Sequence, residues 1–137
     1  MTEYEDCIVY LLAKAYQRAH AFAKKRLAAY GLTPIQQLVL AWLCREEGIS
    51  AGDLGKKLTL DPATLSGILD RLAERGWIDK QTDPDDKRLL RIYLTDEARK
   101  LEPKLMEERD KANEEVLRNL SLEEKVLLKR LLKDIRD

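Results

Sequence analysis

The stretch Asp61-Pro-Ala-Thr-Leu-Ser-Gly-Ile-Leu-Asp-Arg-Leu-Ala-Glu-Arg75 predicts one helix with a clear start and a clear end. Asp61 is a favourable N-cap residue, and Pro62 suits the first helical position because its missing N–H has no partner there. Gly76 follows where a helix commonly ends on a left-handed residue. These signals place a short, well-bounded helix at the centre of a longer stretch, Ile49 to Thr95, that decides the fold.

Two faces of this helix differ in character. The apolar positions recur at helical spacing and predict a buried side: Leu65, Ile68, Leu69 and Leu72. The opposite face carries small and hydrogen-bonding residues: Ala63, Ser66, Gly67, Asp70 and Arg71, with Thr64 at its flank. Small residues there leave room for close approach to another surface.

The segments on either side predict a helix before this one and a hairpin after it. Ser50 begins the preceding helix, which ends near Thr59, and the short interval to Asp61 predicts a tight turn. After Gly76 the side-chain pattern alternates with a period of two over 78–82 and again over 90–94, as in paired strands. A helix, a turn, a helix and a hairpin in this order make a winged helix-turn-helix core.

Amphipathic helices flank the core at both ends of the chain. The pattern predicts a helix over residues 3–30, another from a capping box at Thr33 to Gly48, a long one from Thr95 to about Asn119, and a last one from Ser121. The terminal apolar stripes exceed what a small core covers, so we expect pairing with a second chain. The fold class is therefore mainly α with a small β-wing: a winged core over 33–95, flanked by dimerisation helices over 3–30 and 96–136, in one domain over 1–137.

The composition fits one helix-rich globular domain, with 45% hydrophobic and 36% charged residues in 137. No apolar run reaches the roughly 20 residues of a membrane span, and the N-terminus lacks the form of a signal peptide, so we expect a cytoplasmic protein without a membrane partner. The formal net charge is zero. Residues 45–95 hold nine basic and ten acidic side chains, so any nucleic-acid contact has to depend on where the cations lie.

Three motifs give the chain a family resemblance over essentially its whole length. The sequence resembles the MarR family of bacterial and archaeal transcription regulators. The most specific match is Asp83-Pro-Asp-Asp-Lys-Arg-Leu-Leu-Arg-Ile-Tyr-Leu-Thr95, which is similar to that family's wing. Leu32-Thr-Pro-Ile-Gln36 and Leu69-Asp-Arg-Leu-Ala-Glu-Arg-Gly-Trp-Ile78 resemble its second helix and the end of its recognition helix.

The resemblance implies a symmetric homodimer whose terminal helices interlock and whose two winged modules read a pseudo-palindrome in double-stranded DNA. It also implies that a small-molecule effector, or in some members an oxidant, changes the spacing of the modules and releases the DNA. Family members mostly repress transcription, and some activate it.

On the recognition helix, the residue chemistry and the resemblance agree on DNA contacts from Thr64, Ser66, Gly67 and Arg71, and Ala63 is expected in the same interface. Hydroxyl groups can bond phosphates or base edges, Gly67 permits close contact, and Arg71 can hold guanine bidentately. The alternative is an ordinary solvated face. From the preceding helix, phosphate contacts are expected at Ser50, Lys56 and Lys57.

The loop between the strands carries the firmest single-residue prediction. Arg88 at the tip fits the narrow minor groove of A·T-rich DNA, and Asp86 would orient its guanidinium through a charge-assisted pair. Lys87 would add a phosphate contact. The alternative is a solvated hairpin tip. A calcium loop is excluded, because the central glycine is missing and the twelfth position holds Leu94.

For an effector, the resemblance points to a cavity between the terminal helices and the winged module. Its candidate lining residues are Tyr16, His20, Tyr30 and Trp42, each of which has ordinary core or interface packing as its alternative. Cys7 is a candidate redox thiol, about two residues from the reactive cysteine of the family's hydroperoxide sensors. Cys44 is expected to be buried and inert.

Two other functions stay open beside ligand-responsive repression. One is a thiol-based redox regulator of the same fold, and the other is a winged-helix module that binds protein, which the near-neutral charge favours. An enzyme is not expected, because the sequence has no Gly-rich phosphate loop and its single histidine supports neither a catalytic triad nor a His-rich metal site. No cofactor or metal is expected.

Overall fold

The computed structural model describes residues 3–137, which form six α-helices and one two-stranded sheet. The elements in chain order are α1 (Ile8–Leu27), α2 (Pro34–Arg45), α3 (Ala51–Leu58), α4 (Pro62–Glu74), β1 (Ile78–Thr82), β2 (Leu90–Leu94), α5 (Asp96–Val116) and α6 (Leu122–Arg136). The mainly α class with a small β-wing is confirmed.

Side-chain caps begin five of the six helices at the expected residues. In the α2 cap, the backbone N–H of Gln36 donates to the Thr33 hydroxyl, and the Gln36 side chain accepts from the Thr33 N–H. Ser121 and Glu124 form the same reciprocal pair at α6. Single caps start the other three, at Ser50, Asp61 and Thr95. Each cap satisfies donors that a helix N-terminus otherwise leaves free.

The wing is an antiparallel hairpin joined to the chain just before α3. Ile78 of β1 pairs with Leu94 of β2. On the other side of β2, the Gly48 N–H donates to the Ile92 carbonyl at 2.9 Å, and the Ile92 N–H donates to the Ile49 carbonyl at 3.1 Å. Residues 48–50 thus add a short third pairing beside β2. It fixes the hairpin against the helices.

One hydrophobic core lies beneath the winged module and reaches α5. Its largest fully buried side chains come from every element around it: Leu27, Leu40, Leu43, Leu54, Leu69, Leu72, Ile78, Ile92 and Leu105. A buried polar contact adds register between helices, since the Gln37 amide donates to the Leu105 carbonyl at 2.8 Å. This contact and the shared core anchor α5 to the winged module that precedes it in the chain.

The N-terminal helix is shorter than the sequence pattern suggested. Cys7 is extended, with φ −66° and ψ 128°, and separates a 3-10 turn at Tyr4–Asp6 from α1. A second 3-10 turn at Ala28–Tyr30 leads to Gly31, where φ is +67°. The single helix predicted over residues 3–30 is thus wrong at both ends, because periodicity does not mark a one-residue break without Gly or Pro. The long helix expected to reach Asn119 ends at Val116, and the one expected to stop at Gly48 ends at Arg45.

Many large apolar side chains near both ends of the described chain, residues 3–137, remain exposed. α1 packs along α5, where Arg26 forms ion pairs with Glu108 at 3.1 Å and with Glu115. α6 buries none of its residues. The large exposed side chains of these end segments are Tyr4, Ile8, Val9, Leu11, Leu12, Tyr16, Leu122, Val126, Leu127, Leu131, Leu132 and Ile135.

None of the helices between residues 3 and 137 is by itself long and apolar enough to cross a bilayer. The segments Ile8–Tyr30 and Pro34–Arg45 have the necessary length and composition only together, and a 74° bend separates them.

Candidate nucleic-acid interface

The helix α4 buries the face that its apolar spacing indicated. Leu65, Leu69 and Leu72 are at most 3% exposed, and Ile68 is also buried. The opposite side, with Ala63, Thr64, Ser66, Asp70 and Arg71, is open to solvent. This surface of small and polar residues stands beside the wing, where a duplex could approach it.

The first turn of α4 uses part of its polar chemistry internally. Asp61 accepts the Thr64 N–H at 2.9 Å and the Thr64 hydroxyl proton at 2.7 Å. These hydrogen bonds hold the pKa of Asp61 below its ordinary value. The Thr64 oxygen keeps free lone pairs, so in this geometry Thr64 offers a DNA contact as an acceptor only.

Gly67 and Arg71 are free for an outside partner. A Cβ added at Gly67 would meet no atom within 4 Å, so the fold of the chain does not require glycine there. The Arg71 guanidinium makes no hydrogen bond or ion pair with any residue of the 3–137 range. Both features suit a surface that closes against a second molecule.

An open groove of about 780 Å³ separates α4 from α3 and the wing. Its floor is apolar, with Leu60, Leu65, Leu69 and Leu90 among the lining residues. At its edge Lys80 of β1 forms an ion pair with Asp70 of α4. That pair neutralises an acid on the helix face and joins the wing to the helix.

The wing loop is organised by the Asp83 carboxylate. One oxygen accepts the N–H groups of Asp85 and Asp86 at 2.8 and 3.1 Å, and the other accepts from Arg91 Nε at 2.6 Å. The pKa of Asp83 is lowered, chiefly by the bond from Arg91. Arg91 also donates to the Gly48 carbonyl at 2.9 Å. Sequence reasoning missed these roles of Asp83 and Arg91, although an arginine in an apolar strand was a signal for them.

Arg88 projects from this loop in a fixed direction. Its Nε donates to Asp86 at 3.1 Å, its Nη2 to the second Asp86 oxygen at 3.4 Å, and its backbone N–H to the first oxygen at 3.0 Å. The Arg88 side chain is nevertheless 91% exposed. Lys87 beside it is exposed as well. The tip therefore presents an oriented guanidinium with most of its surface in water.

The three residues expected to hold phosphates from α3 differ in their surroundings. Ser50 is only 7% exposed and its hydroxyl oxygen accepts the Asp53 N–H, so its surface is unsuited to a phosphate contact. The ammonium of Lys57 lies 5.4 Å from the centre of the Trp42 ring. Lys56 lines the groove beside α4. Of the three, Lys56 has the position best suited to a phosphate.

The four residues expected to line an effector pocket do not meet in one cavity of the described chain. The Tyr16 side chain is exposed, and its ring centre lies 5.7 Å from that of His20. His20 lines a cleft of about 580 Å³ with Lys24, Arg71 and Arg75 among its other residues. Tyr30 lies in a separate cleft with Trp77, and Trp42 in another between α2 and α5.

Both cysteines are exposed. For Cys7 this agrees with an accessible thiol at the N-cap of α1. For Cys44 the expectation of burial was wrong. Leu43 points fully into the core, and one helical step of about 100° turns Cys44 away from it.

Comparisons with known proteins place this geometry among transcriptional regulators. Residues 32–90 match the model of the MarR family. The chain is 41% identical over 93 residues to the HTH-type transcriptional regulator TtmR of Methylorubrum extorquens, covering 66% of this chain and 48% of TtmR. It is 30% identical to the multiple antibiotic resistance protein MarR of Salmonella typhimurium, covering 91% of this chain and 88% of that protein. The chain spans about half the length of TtmR.

Two solved structures share the whole architecture. BpsR of Bordetella bronchiseptica, whose DNA binding is regulated by 6-hydroxynicotinic acid, is 27% identical with a TM-score of 0.93, covering 100% of this chain and 98% of that one. A cysteine-to-serine variant of MarR from E. coli, in complex with operator DNA, is 25% identical with a TM-score of 0.88, covering 98% and 99%. The similarity therefore extends through the terminal helices as well as the winged core.

Proposed function

This chain belongs to the MarR family, and on that premise we propose that it is a ligand-responsive repressor that binds a pseudo-palindromic operator as a homodimer. One observation carries the proposal most directly: the Arg88 guanidinium is held by Asp86 and still almost wholly exposed at the wing tip. The ion pair with Asp86 orients the Arg88 guanidinium toward solvent without burying it, so the cation stays available to a negatively charged surface.

The DNA contacts that we propose start from α4 and the wing, which lie next to each other on the module. With α4 in the major groove, Ser66 and Arg71 would face base edges, and Gly67 would let the backbone come close. Arg88 would enter the adjacent minor groove, where its charge meets enhanced negative potential. Lys56 and Lys87 would hold phosphates. The chain's zero net charge is compatible with this arrangement, since specificity depends on placed contacts.

The homodimer is supported by the uncovered apolar surfaces of α1 and α6. Large apolar side chains are exposed along both helices, and a large exposed apolar surface marks an interface. A two-fold dimer would present two winged modules to two half-sites in opposite orientation. We propose residues 33–95 as the DNA-binding core and residues 3–30 and 96–136 as the dimerisation segments of one domain.

Control by a small molecule is supported by the regulation of BpsR by 6-hydroxynicotinic acid. For this chain the effector would act by changing the relative positions of the two modules, because only one spacing fits both half-sites. The proposed partners are therefore duplex DNA, a second copy of the chain and a small organic effector.

The test is fluorescence anisotropy on a pool of duplexes with inverted repeats, across a salt series. We expect the affinity of the wild type to fall with salt, with a log–log slope near −0.9 per phosphate contact. Arg88→Ala should weaken binding by roughly 5- to 150-fold, whereas Lys87→Ala should reduce the salt slope by about one contact. Lys100→Ala, exposed on α5, serves as the control and should change neither.

A wild type that binds none of these duplexes at low salt would contradict the proposal. The same fold would then be better explained as a module that binds another protein.

A further inference from the structure

Two pairs of basic residues from different helices line one open cleft beside α4. His20 and Lys24 lie one turn apart on α1, and Arg71 and Arg75 lie one turn apart on α4. All four line the cleft of about 580 Å³, together with the start of α2. Side chains four residues apart share one face of a helix, so each helix contributes its pair from a single face.

The cleft is positively charged although the chain as a whole has no net charge. Its lining holds three cations, Lys24, Arg71 and Arg75, and one acid, Glu74, which leaves a net charge of +2 with His20 counted as neutral. The N-terminus of α2 lies in the same cleft and adds the positive end of a helix dipole. A concave surface lined mainly by one sign of charge attracts the opposite sign, so this cleft favours an anion.

The cations of the cleft are accessible and almost uncommitted. Lys24, Arg71 and Arg75 are exposed residues. Lys24 and Arg71 form no hydrogen bond or ion pair with any residue between 3 and 137. Arg75 donates through Nη1 to the Gly31 carbonyl, which holds the side chain in place and leaves its other N–H groups unused. These donors can therefore bond an anion without breaking a contact of the fold.

The position of Arg71 connects the cleft to the proposed DNA interface. This residue belongs to the exposed face of α4 and also lines the cleft, so the two surfaces are continuous. Ser66 and Asp70, from the other edge of the same face, line the groove next to the wing. The wing and the basic cleft therefore flank α4 on opposite sides.

We propose that this cleft binds the phosphate backbone of the operator between its two half-sites. The inference rests on the proposed function. In a two-fold dimer that is built on α1, the α1 side of each module lies toward the symmetry axis and the wing lies away from it. With α4 in the major groove, Lys24 and Arg75 would meet phosphates on the side of the half-site that faces the axis. Such contacts position the protein and read no sequence.

A polyanion suits this cleft better than a single small anion. The cations are exposed, and an ion pair that stays in water contributes little free energy. Several phosphates on one duplex can engage cations from both helices together, and their binding releases counterions from the DNA. The accessibility that weakens the site for a free ion therefore does not weaken it for a duplex.

The experiment compares Lys24→Ala with Lys25→Ala in the full chain. Both are exposed lysines in the last turn of α1 that form no ion pair within residues 3–137, but only Lys24 lines the cleft. Fluorescence anisotropy is measured across a salt series on the tightest-binding duplex of the inverted-repeat pool. We expect Lys24→Ala to make the log–log slope shallower by about 0.9 for each subunit, and Lys25→Ala to leave the slope unchanged.

A second set of duplexes locates the contact on the DNA. Methylphosphonate linkages remove the charge of the phosphates between the half-sites in one duplex and outside them in another. The central substitution should weaken binding of the wild type and have a smaller effect on Lys24→Ala, because that variant has already lost the contact. The outer substitution should affect both proteins equally.

Three outcomes would overturn the inference, and they separate it from the proposed function. A wild type that binds no duplex contradicts both. Equal salt slopes for the wild type and Lys24→Ala contradict the cleft contact alone, as do central methylphosphonates that weaken both proteins equally. If the slopes are equal and inorganic phosphate raises the Tm of the wild type but not of Lys24→Ala, the cleft holds a free anion instead of DNA.

Discussion

The Arg91 guanidinium donates to the Asp83 carboxylate at 2.6 Å, which joins the second strand of the wing to the start of the loop that carries Arg88. Arg91 also reaches the Gly48 carbonyl ahead of α3. The direction in which Arg88 points is thus set by residues that need not touch DNA themselves.

We expect Asp83→Asn to weaken operator binding although Asp83 makes no proposed DNA contact. The substitution removes the charge that holds Arg91 and loosens the loop, so the affinity loss should approach the roughly 5- to 150-fold expected for Arg88→Ala. Asp85→Asn is the matched control, because it changes the charge of the same loop by the same amount and its side chain holds no partner. Equal losses for the two variants would mean that loop charge, and not the Asp83–Arg91 pair, is responsible.

Gly67→Ala should separate folding from binding. The added methyl group meets no atom within 4 Å, and alanine favours a helix over glycine by about 1 kcal/mol, so the free energy of unfolding should rise. The same methyl group should hinder the approach of α4 to the major groove and lower DNA affinity. Urea denaturation and anisotropy on the same samples check both effects. Unchanged affinity would remove Gly67 from the proposed interface.

Leu131→Glu should dissociate the proposed dimer. Leu131 lies on the uncovered stripe of α6, where a charge would have to be buried against the second chain. Lys129→Glu, exposed on the same helix, changes the charge by more and should leave the dimer intact. Sedimentation equilibrium distinguishes the two, and a dimeric Leu131→Glu variant would place the interface elsewhere.

The stability of the protein should depend on Glu102 in a defined pH window. Burial raises the pKa of Glu102 above its ordinary value of 4.5, opposed by Arg109, with Arg45 and Cys44 facing it from α2. Below about pH 4.5 the group is protonated in both the folded and the unfolded state and has no destabilising effect. As pH rises from 4.5 through the raised pKa, the unfolded state releases its proton first and stability is lost. The stability difference between Glu102→Gln and wild type should therefore grow with pH in this window, and a difference that is flat with pH would contradict the raised pKa.

Much of this architecture could be predicted from local chemistry. The caps at Thr33, Ser50, Asp61 and Ser121 fixed where helices begin, since each side chain accepts from the backbone three residues ahead. Gly76, at φ +79°, ended the stretch after α4 as its position suggested. Each of these contacts joins residues only a few positions apart, so it can be predicted from the residue types at those positions.

Contacts between distant segments were harder to predict. Nothing near Glu102 in the sequence distinguishes it from the exposed acids of the same charged helix, because its burial comes from α2. Likewise, the Thr64 hydroxyl is partly occupied by Asp61, and Lys57 lies over Trp42. The buried and exposed faces of α4 were therefore predicted correctly, whereas the internal contacts of single side chains such as Thr64 and Lys57 were not predicted.

The polar contacts that connect the wing to its neighbours have one mechanical consequence. Asp70–Lys80 binds the hairpin to α4, Arg91–Gly48 binds it to the segment before α3, and the Thr95 hydroxyl donates to the Gly76 carbonyl at 2.7 Å. These three contacts hold the hairpin against α4 and against the segment before α3, so that the hairpin and the helix form one rigid unit. If the chain reads two half-sites as proposed, adaptation to different half-site spacings would fall to segments outside this module, such as α5, where Pro103 removes one backbone hydrogen bond.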